Sequence, residues 1–361
     1  MGVRITVKHP GVLTAAEIAG WRAMLQGEAL SSPYFAPEFS QIAGDVHADA
    51  QVALVNDGVR LSAILPFRKG PLGFCRPIAG ALTDFQGLIA RPETSVDVRA
   101  VARAAGIGVM AYDALPADQG RHGFTGEADT TSAVIGLEDG FEAWRDARAA
   151  QSSAVKRLGS KRRGLERTAG PLRVVIDDRS DAAFALLRGW KREQLAAAGH
   201  FDIFAAASTG ALLERIRARH KPAFRGLLST LYAGEQPVAA HFGMQAGPVL
   251  HYWFPGYDRA FGKYSPGNLL LESLAEAGAE HGWTAIHLGA GDYSYKREFA
   301  SRTIPLLRGA LRTPSAAGLA HMAMDGAARA AESAPLGPLS ALPGKAMRKA
   351  GRIADFGWAA A

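Results

Sequence analysis

The sequence predicts a mixed α/β protein made of two similar halves. Three observations carry that reading. Strands and helices alternate along most of the chain instead of segregating. Between residues 172 and 311 the order is strand, helices, three successive strands, helix, strand, helix, strand, and the first 138 residues echo it more weakly. The length of 361 residues also exceeds a typical domain of about 100–200 residues and fits two. No residue-level repeat accompanies the echo.

Taken in order, residues 15–26 read as a helix, with Ile18, Trp21, Met24 and Leu25 on one face. Residues 51–56 and 60–68 read as strands around the turn Asp57-Gly58. A strand at 74–79, a short segment at 83–90, a helix near 96–107 and strands at 106–112 and 130–136 complete the first half. Residues 141–168 read as a long helical stretch broken or bent around Gly159, with Val155, Leu158 and Leu165 able to share a face. A strand at 172–176 and helices at 182–197 and 209–221 follow. Strands at 224–233, 237–245 and 248–255 are joined by the turns Gly234-Glu235 and Ala246-Gly247. A helix at 265–282, a strand at 284–289, a short helix at 293–300 and a strand at 304–311 close the second half. The expected organisation is an N-terminal unit 1–138, a C-terminal unit 139–312 and an Ala/Gly/Pro-rich appendage 313–361.

Hydrophobic residues make up 48% and charged residues 21%, enough apolar material for two cores. The net charge of +7 and pI of about 9.6 favour anionic partners such as phosphorylated cofactors, nucleic acid or an anionic membrane surface. The single cysteine, Cys75, rules out an internal disulfide, and no Cys/His cluster has zinc-ligand spacing, so no metal is expected. Residues 1–10 lack the apolar run of a secretory signal, and no stretch reaches the ~18 apolar residues of a membrane span. The expected location is cytoplasmic. Lys345, Arg348, Lys349 and Arg352 beside Met347, Ile353 and Phe356 allow at most a peripheral helix at the inner membrane face.

The richest stretch runs from Tyr252-Trp253-Phe254-Pro255-Gly256-Tyr257-Asp258 to Tyr264-Ser265-Pro266-Gly267-Asn268, followed by three leucines. Ser265 suits a helix N-cap and Pro266 the first helical position, where a missing N–H costs nothing. Unpaired amides and the helix dipole then make an anion site. Leu270, Leu271, Leu274 and Gly278 form a core stripe, and Glu272, Glu276 and Glu280 a solvated face. A second cluster, Gly289-Ala290-Gly291-Asp292-Tyr293-Ser294-Tyr295-Lys296, follows a strand end, where α/β sheets commonly bind ligands. Lys296 suits phosphate binding or oxyanion stabilisation, and Asp292 suits an amine or a helix cap. His241, His251 and His287 lie on predicted strands as possible bases, although a lone strand histidine is more often structural. Lys156, Arg157, Lys161, Arg162, Arg163 and Arg167 make a basic helix face without the interleaved aromatics of single-strand binders. No Gly-x-Ser-x-Gly elbow is present, so nothing calls for a covalent enzyme intermediate.

Residues 253–299 resemble the CelD/BcsL family of acetyltransferases, linked to cellulose and exopolysaccharide synthesis, within the GNAT superfamily and similar to Fem-type aminoacyl transferases. The resemblance rests on Tyr257-Asp258, the Tyr264-Ser265-Pro266-Gly267 helix entry, the Leu-rich helix, residues 289–292 and Tyr295-Lys296. It extends more weakly through Lys161-Arg162-Arg163, Trp190-Lys191 and Pro237-Val238-Ala239-Ala240-His241, and covers residues 140–311. In the first half only Ala63-Ile64-Leu65-Pro66 and Thr83-Asp84-Phe85 match in style. It implies tandem GNAT-like domains, each a mostly antiparallel twisted sheet flanked by helices. It implies an acyl-CoA co-substrate held by Tyr264, Ser265, Gly267 and Asn268, and transfer to an amine or hydroxyl of a sugar-linked or peptide-like acceptor. Lys296, Asp292 and His241 are the catalytic candidates; Trp253, Asp258, Tyr295 and Arg162 are the acceptor-side candidates. His287 and Tyr293 stand where the family often has acidic residues, and its usual Arg/Gln-x-x-Gly-x-Gly/Ala donor loop is not legible. Two rival readings are a Fem-like transferase using aminoacyl-tRNA and a non-catalytic subunit of a polysaccharide machine.

Overall fold

The computed structural model describes residues 3–333 together with 351, 353, 355 and 356. The basic tail residues Lys345, Arg348, Lys349 and Arg352 lie outside the described residues. The elements are β1 (Arg4–Lys8), α1 (Ala15–Arg22), α2 (Pro37–Val46), β2 (Ala50–Asn56), β3 (Leu61–Lys69), β4 (Phe74–Arg76), β5 (Ile89–Ala90), α3 (Val98–Ala105), β6 (Val109–Pro116) and β7 (Gly126–Gly136). Next come α4 (Phe141–Gln151), α5 (Ser153–Lys156), α6 (Leu158–Ala169), β8 (Leu172–Ile176), α7 (Asp181–Ala197), α8 (Ala207–Arg217), β9 (His220–Lys221), β10 (Phe224–Ala233), β11 (Gln236–Ala246) and β12 (Val249–Tyr257). The last are α9 (Pro266–Glu276), β13 (Ala285–Ala290), α10 (Ser294–Phe299), β14 (Arg302–Arg312) and α11 (Ala316–Ser333). The expected mixed α/β class is therefore observed, as a large, mostly antiparallel sheet flanked by helices.

All the strands belong to one sheet, ordered β1-β2-β3-β4-β6-β14-β7-β13-β12-β11-β10-β8, with β5 beside β3 and β9 beside β10. Each half contains one parallel pair, β4 with β6 and β12 with β13. A parallel pair needs a crossover connection, and each crossover carries a helix, α3 or α9. The strand that ends each half then leaves it. β7 pairs with β13 of the second half, and β14 pairs with β6 of the first. The two exchanged strands also pair with each other along Arg302↔Val134 to Gly309↔Gly126. Residues 1–138 and 302–312 therefore share one hydrogen-bond ladder across the expected boundary.

Three cores follow. One, around Trp21, Tyr34, Phe39, Phe85, Phe184 and Phe242, draws on both halves. The other two lie under α9 (Leu158, Leu165, Tyr252, Leu270, Phe299) and under α3 (Leu65, Phe67, Val101, Tyr112). Trp21 donates its indole N–H to Phe35 O at 2.7 Å and Trp144 to Phe299 O at 3.0 Å, so neither ring buries an unpaired donor.

Several local expectations are corrected. The long helix at 141–168 breaks at Arg157, close to Gly159 as expected, but also at Ser152, which was not expected. Ser152 leaves helical geometry (ψ 115°), and its hydroxyl caps the next turn by accepting from Val155 N at 3.1 Å. Glu272 is not on a solvated face: it is 5% exposed and paired with Arg145 and Arg162. β1 and α2 were not expected from the sequence pattern. α2 is nonetheless well marked, with Pro37 at its first turn and Phe39, Ile42 and Ala43 in the core. Among the described residues, no helix is long and apolar enough to cross a membrane.

Because the exchanged strands join the halves, unfolding in urea should follow one transition, whichever half a probe reports. Leu306, fully buried in β14 and paired with both Pro116 and Thr130, should cost about 2–5 kcal/mol when replaced by alanine. Two separate transitions would contradict this account.

Candidate active site

The sheet opens beside β12. β12 and β13 pair at Val249↔Ala285, Leu250↔Ile286 and His251↔His287, and among the described residues the pairing stops there. β13 stays bound to β7 as far as Ala290↔Ser132, while β12 continues alone along that edge to Tyr257. On its other edge the register with β11 shifts between Phe242↔Phe254 and Met244↔His251. Three steps along β12 there match two along β11, so β12 carries the extra residue of a β-bulge. Gly243 lies opposite. A Cβ on it would stand 2.0 Å from His251 O, so only glycine allows this close approach. The bulge and the parting of the strands thus coincide at residues 251–254, leaving the outer edge of β12 without a strand partner beyond His251 among the described residues.

α9 starts at the far end of that edge. Gly267 packs toward Tyr257, whose Cδ1 would be 3.6 Å from a Cβ at Gly267. Pro266 holds the first helical position, as expected, but Ser265 makes no side-chain cap bond. It adopts the left-handed conformation (φ 55°, ψ 52°), and its carbonyl accepts from Asn268 N at 3.0 Å and Leu269 N at 3.1 Å. The turn before it is flanked by α6. Tyr264 Oη and Thr168 Oγ1 lie 2.6 Å apart, Lys161 Nζ donates to Lys263 O, and Lys263 Nζ lies 4.9 Å from the Tyr264 ring centre. The hydrogen bond with Thr168, helped by Lys263 and Arg167, holds the Tyr264 phenol below its ordinary pKa. The helix start is therefore rimmed with cations. Arg162 faces away from the rim, bonding Ser273 Oγ at 3.2 Å and pairing with Glu272.

A cluster of titratable groups gathers where β12 leaves β13. His251 is fully buried, and its Nε2 lies 3.1 Å from Asp84 Oδ2. Asp84 comes from the other half, on the crossover after β4, and keeps 32% of its side chain exposed. The Tyr34 ring meets His251 edge-on at 4.9 Å and Trp253 at 5.7 Å. Burial, then the charge on Asp84, pushes the Tyr34 phenol upward. Lys296, on α10, is 6% exposed and donates to Gly289 O at 3.0 Å and to Ala290 O. Burial lowers its pKa to about 8; Asp84 opposes that shift and Lys191 adds to it. Lys191, on α7, is lowered to about 8 by burial as well. Tyr295 beside Lys296 is raised by burial and by Tyr293 and Asp84. Asp84 and Lys191 thus both bear on the charge of Lys296.

The other candidates are placed differently. Asp292 is exposed (81%) in an ion pair with Arg297. Asp258 caps the turn after β12, accepting from Ala260 N at 2.9 Å. His241 is fully buried and stacked on Tyr252 at 4.2 Å; burial, then His251, lowers its pKa to about 3. His287 packs on Phe85 at 5.6 Å and is likewise lowered to about 3 by burial. Neither of these two histidines finds a hydrogen-bond partner among the described residues. His251 is set apart by its carboxylate partner. The sequence signal for that partner was Thr83-Asp84-Phe85, which carried no assigned role.

Residues 152–297 match the acetyltransferase (GNAT) domain family, which supports an acyltransferase. No curated protein matches the chain by sequence. Among solved structures, FemX is similar over 84% of this chain and 96% of its own, at 11% identity and a TM-score of 0.56. A tandem GNAT protein from the clavulanic acid biosynthesis pathway covers 87% and 99%, at 10% identity and 0.52. The C-terminal domain of an Agrobacterium fabrum protein assigned as a lysylphosphatidylglycerol synthetase covers 84% and 94%, at 13% and 0.51. Such likenesses establish the expected GNAT-like fold, tandem arrangement included. The narrower CelD/BcsL assignment is not among the matches.

The depressed pKa of Lys296 makes stability pH-dependent. Between 10.5 and about 8 the unfolded chain takes up a proton that the buried amine resists, so stability falls as pH drops through that window. Lys296→Met should remove roughly 3 kcal/mol of this change in unfolding free energy between pH 8 and 10.5, read from urea unfolding. Lys191 keeps its own share in both proteins. An unchanged slope in the variant would mean that Lys296 is freely hydrated.

Proposed function

We propose that the protein transfers an acyl group from acyl-CoA to an amine on a sugar-linked or peptide-like acceptor. The observation that carries this reading is the opening between β12 and β13, with a bulge at its root and a cation-rimmed helix start at its end. A thin thioester arm fits alongside an unpaired strand edge, which offers it backbone N–H and C=O groups. The phosphates of the donor then meet Gly267 N–H, the dipole of α9 and the cations Lys161 and Lys263. Tyr264, Ser265 and Asn268 shape that entry.

On this reading Asp84 faces the acceptor. Its exposed oxygen binds the incoming amine and takes its proton as the nitrogen attacks the thioester carbon. A C–N bond forms, the C–S bond breaks, and the CoA thiolate leaves to be protonated. His251, fully buried, acts through Asp84 as a positioning residue. Lys296 and Lys191 supply positive potential, and Tyr34, Trp253 and Tyr295 wall the pocket against water. Asp292, Asp258 and His241 take no part in the transfer, and Arg162 serves α9.

The resemblance to CelD/BcsL proteins supports an acceptor belonging to exopolysaccharide or cellulose synthesis and a site of action on the cytoplasmic side of the membrane. A second reading keeps the fold but takes the donor from aminoacyl-tRNA. It is favoured by an exposed basic run along α5 and α6, where Lys156, Arg157, Arg163 and Arg167 are all exposed. Binding of tRNA that persists at physiological salt and falls on replacing Arg163 and Arg167 would select it.

Calorimetry with acetyl-CoA should give saturable binding that Gly267→Trp abolishes. In a thiol-release assay over a panel of amino sugars and short peptides, Asp84→Asn should lower kcat by about 10²–10⁴-fold without changing acetyl-CoA affinity. Full turnover in Asp84→Asn removes the proposed base; absence of acetyl-CoA binding in the unaltered protein removes the donor.

A further inference from the structure

The first half contains a counterpart of the donor cleft. β4 and β6 pair in parallel at Phe74↔Val109 and Cys75↔Met110, then part as β12 and β13 do. A cavity of about 880 Å³ opens at this place, between the parted strands, β14 and α11. This lies within the range of small-molecule sites, ~300–1,000 Å³. Val109, Ala111, Met324 and the Tyr112 ring give it an apolar body. Arg76, Arg308, Arg312 and Arg329 also line it. Arg312 is engaged with Asp325 and His321, and Asp113 is held by Gln86 Nε2 at 3.0 Å. The remaining carboxylates on its wall are Glu127 and Asp355.

Asp355 belongs to the tail and reaches the cavity from far along the chain. Its Oδ1 lies 3.4 Å from Arg76 Nη1, and its Oδ2 accepts from Ala81 N at 3.2 Å. Gly80 makes room for it. A Cβ there would stand 2.3 Å from Asp355 Oδ1, at a backbone φ of +58° that side chains disfavour. A guanidinium, a backbone amide and a bare glycine thus form an oxyanion cradle, filled by the Asp355 carboxylate. Burial pushes the Asp355 carboxyl upward against the pull of Arg76 and Arg68. Phe356 holds the tail by its contact with Phe201, 5.4 Å between ring centres.

We propose that this cavity is a second binding site, for a phosphate-bearing ligand, and that Asp355 occupies its phosphate position as an intramolecular stand-in. The Arg76 guanidinium beside the Ala81 amide, in a cavity lined by further arginines, suits a phosphate, with its several acceptor oxygens, better than a single carboxylate. The tail and the ligand then compete for one cradle, and binding displaces Asp355.

The test is calorimetry with inorganic pyrophosphate on the full-length chain. Asp355→Ala should bind it at least tenfold more tightly than the unaltered protein. Adding Arg76→Gln to Asp355→Ala should erase that gain, whereas adding Gly267→Trp should leave it intact. No gain in Asp355→Ala overturns the proposal. So does a gain that survives Arg76→Gln, or one that disappears with Gly267→Trp and so belongs to the start of α9.

Discussion

The structure depends on the exchange of its two closing strands. β7 and β14 each leave the half that precedes them and complete the sheet of the other, and they bond to each other on the way. A strand in mid-sheet must satisfy both rows of backbone groups, and for these two the partners exist only when both halves are folded. The exchange also sets how the halves face each other, so that helices from both, α2 and α8 among them, enclose one shared core. Separate sheets in contact only through side chains would leave that orientation free.

Orientation matters because the candidate site is divided between the halves. β12, β13 and α10 bring His251 and Lys296, while the crossover after β4 brings Asp84. A carboxylate 3.1 Å from a fully buried imidazole needs both frames fixed to a few tenths of an ångström. The same junction accounts for the three strand histidines. His241 and His287 are buried without hydrogen-bond partners among the described residues and held neutral, whereas His251 meets a carboxylate delivered from outside its own half. The duplicated architecture then makes two openings, one at β12/β13 and one at β4/β6. The first has a cation-rimmed helix start at its end, and the second holds the acidic residue of the tail.

Much of this was legible in the sequence because it is local. The alternation of the strands at 224–257, the Pro266 helix entry and the Gly-rich turn before Lys296 are short-range patterns, and the structure keeps them. What depends on contacts distant in sequence was not legible. The destination of β14 cannot be read from residues 302–312, since an apolar strand suits either half. Asp84 is far from His251 in sequence, and its triplet Thr83-Asp84-Phe85 carries no spacing rule. Glu272 was read as solvated from its spacing with Glu276 and Glu280. Yet Leu269, Leu270, Leu271 and Leu274 wrap α9 in apolar contacts on most sides, which draws Glu272 in against Arg145 and Arg162. Asp292 follows two glycines as a ligand-binding acid would, but its carboxylate turns to solvent and Arg297.

The central claim is that the donor lies in the opening between β12 and β13, across from Asp84. A crystal structure of the protein with acetyl-CoA tests it most directly. The account predicts the pantetheine arm along the free edge of β12, the diphosphate at Gly267 and Lys161, and the acetyl group facing Asp84. A donor bound elsewhere, with the β12 edge empty, would contradict it.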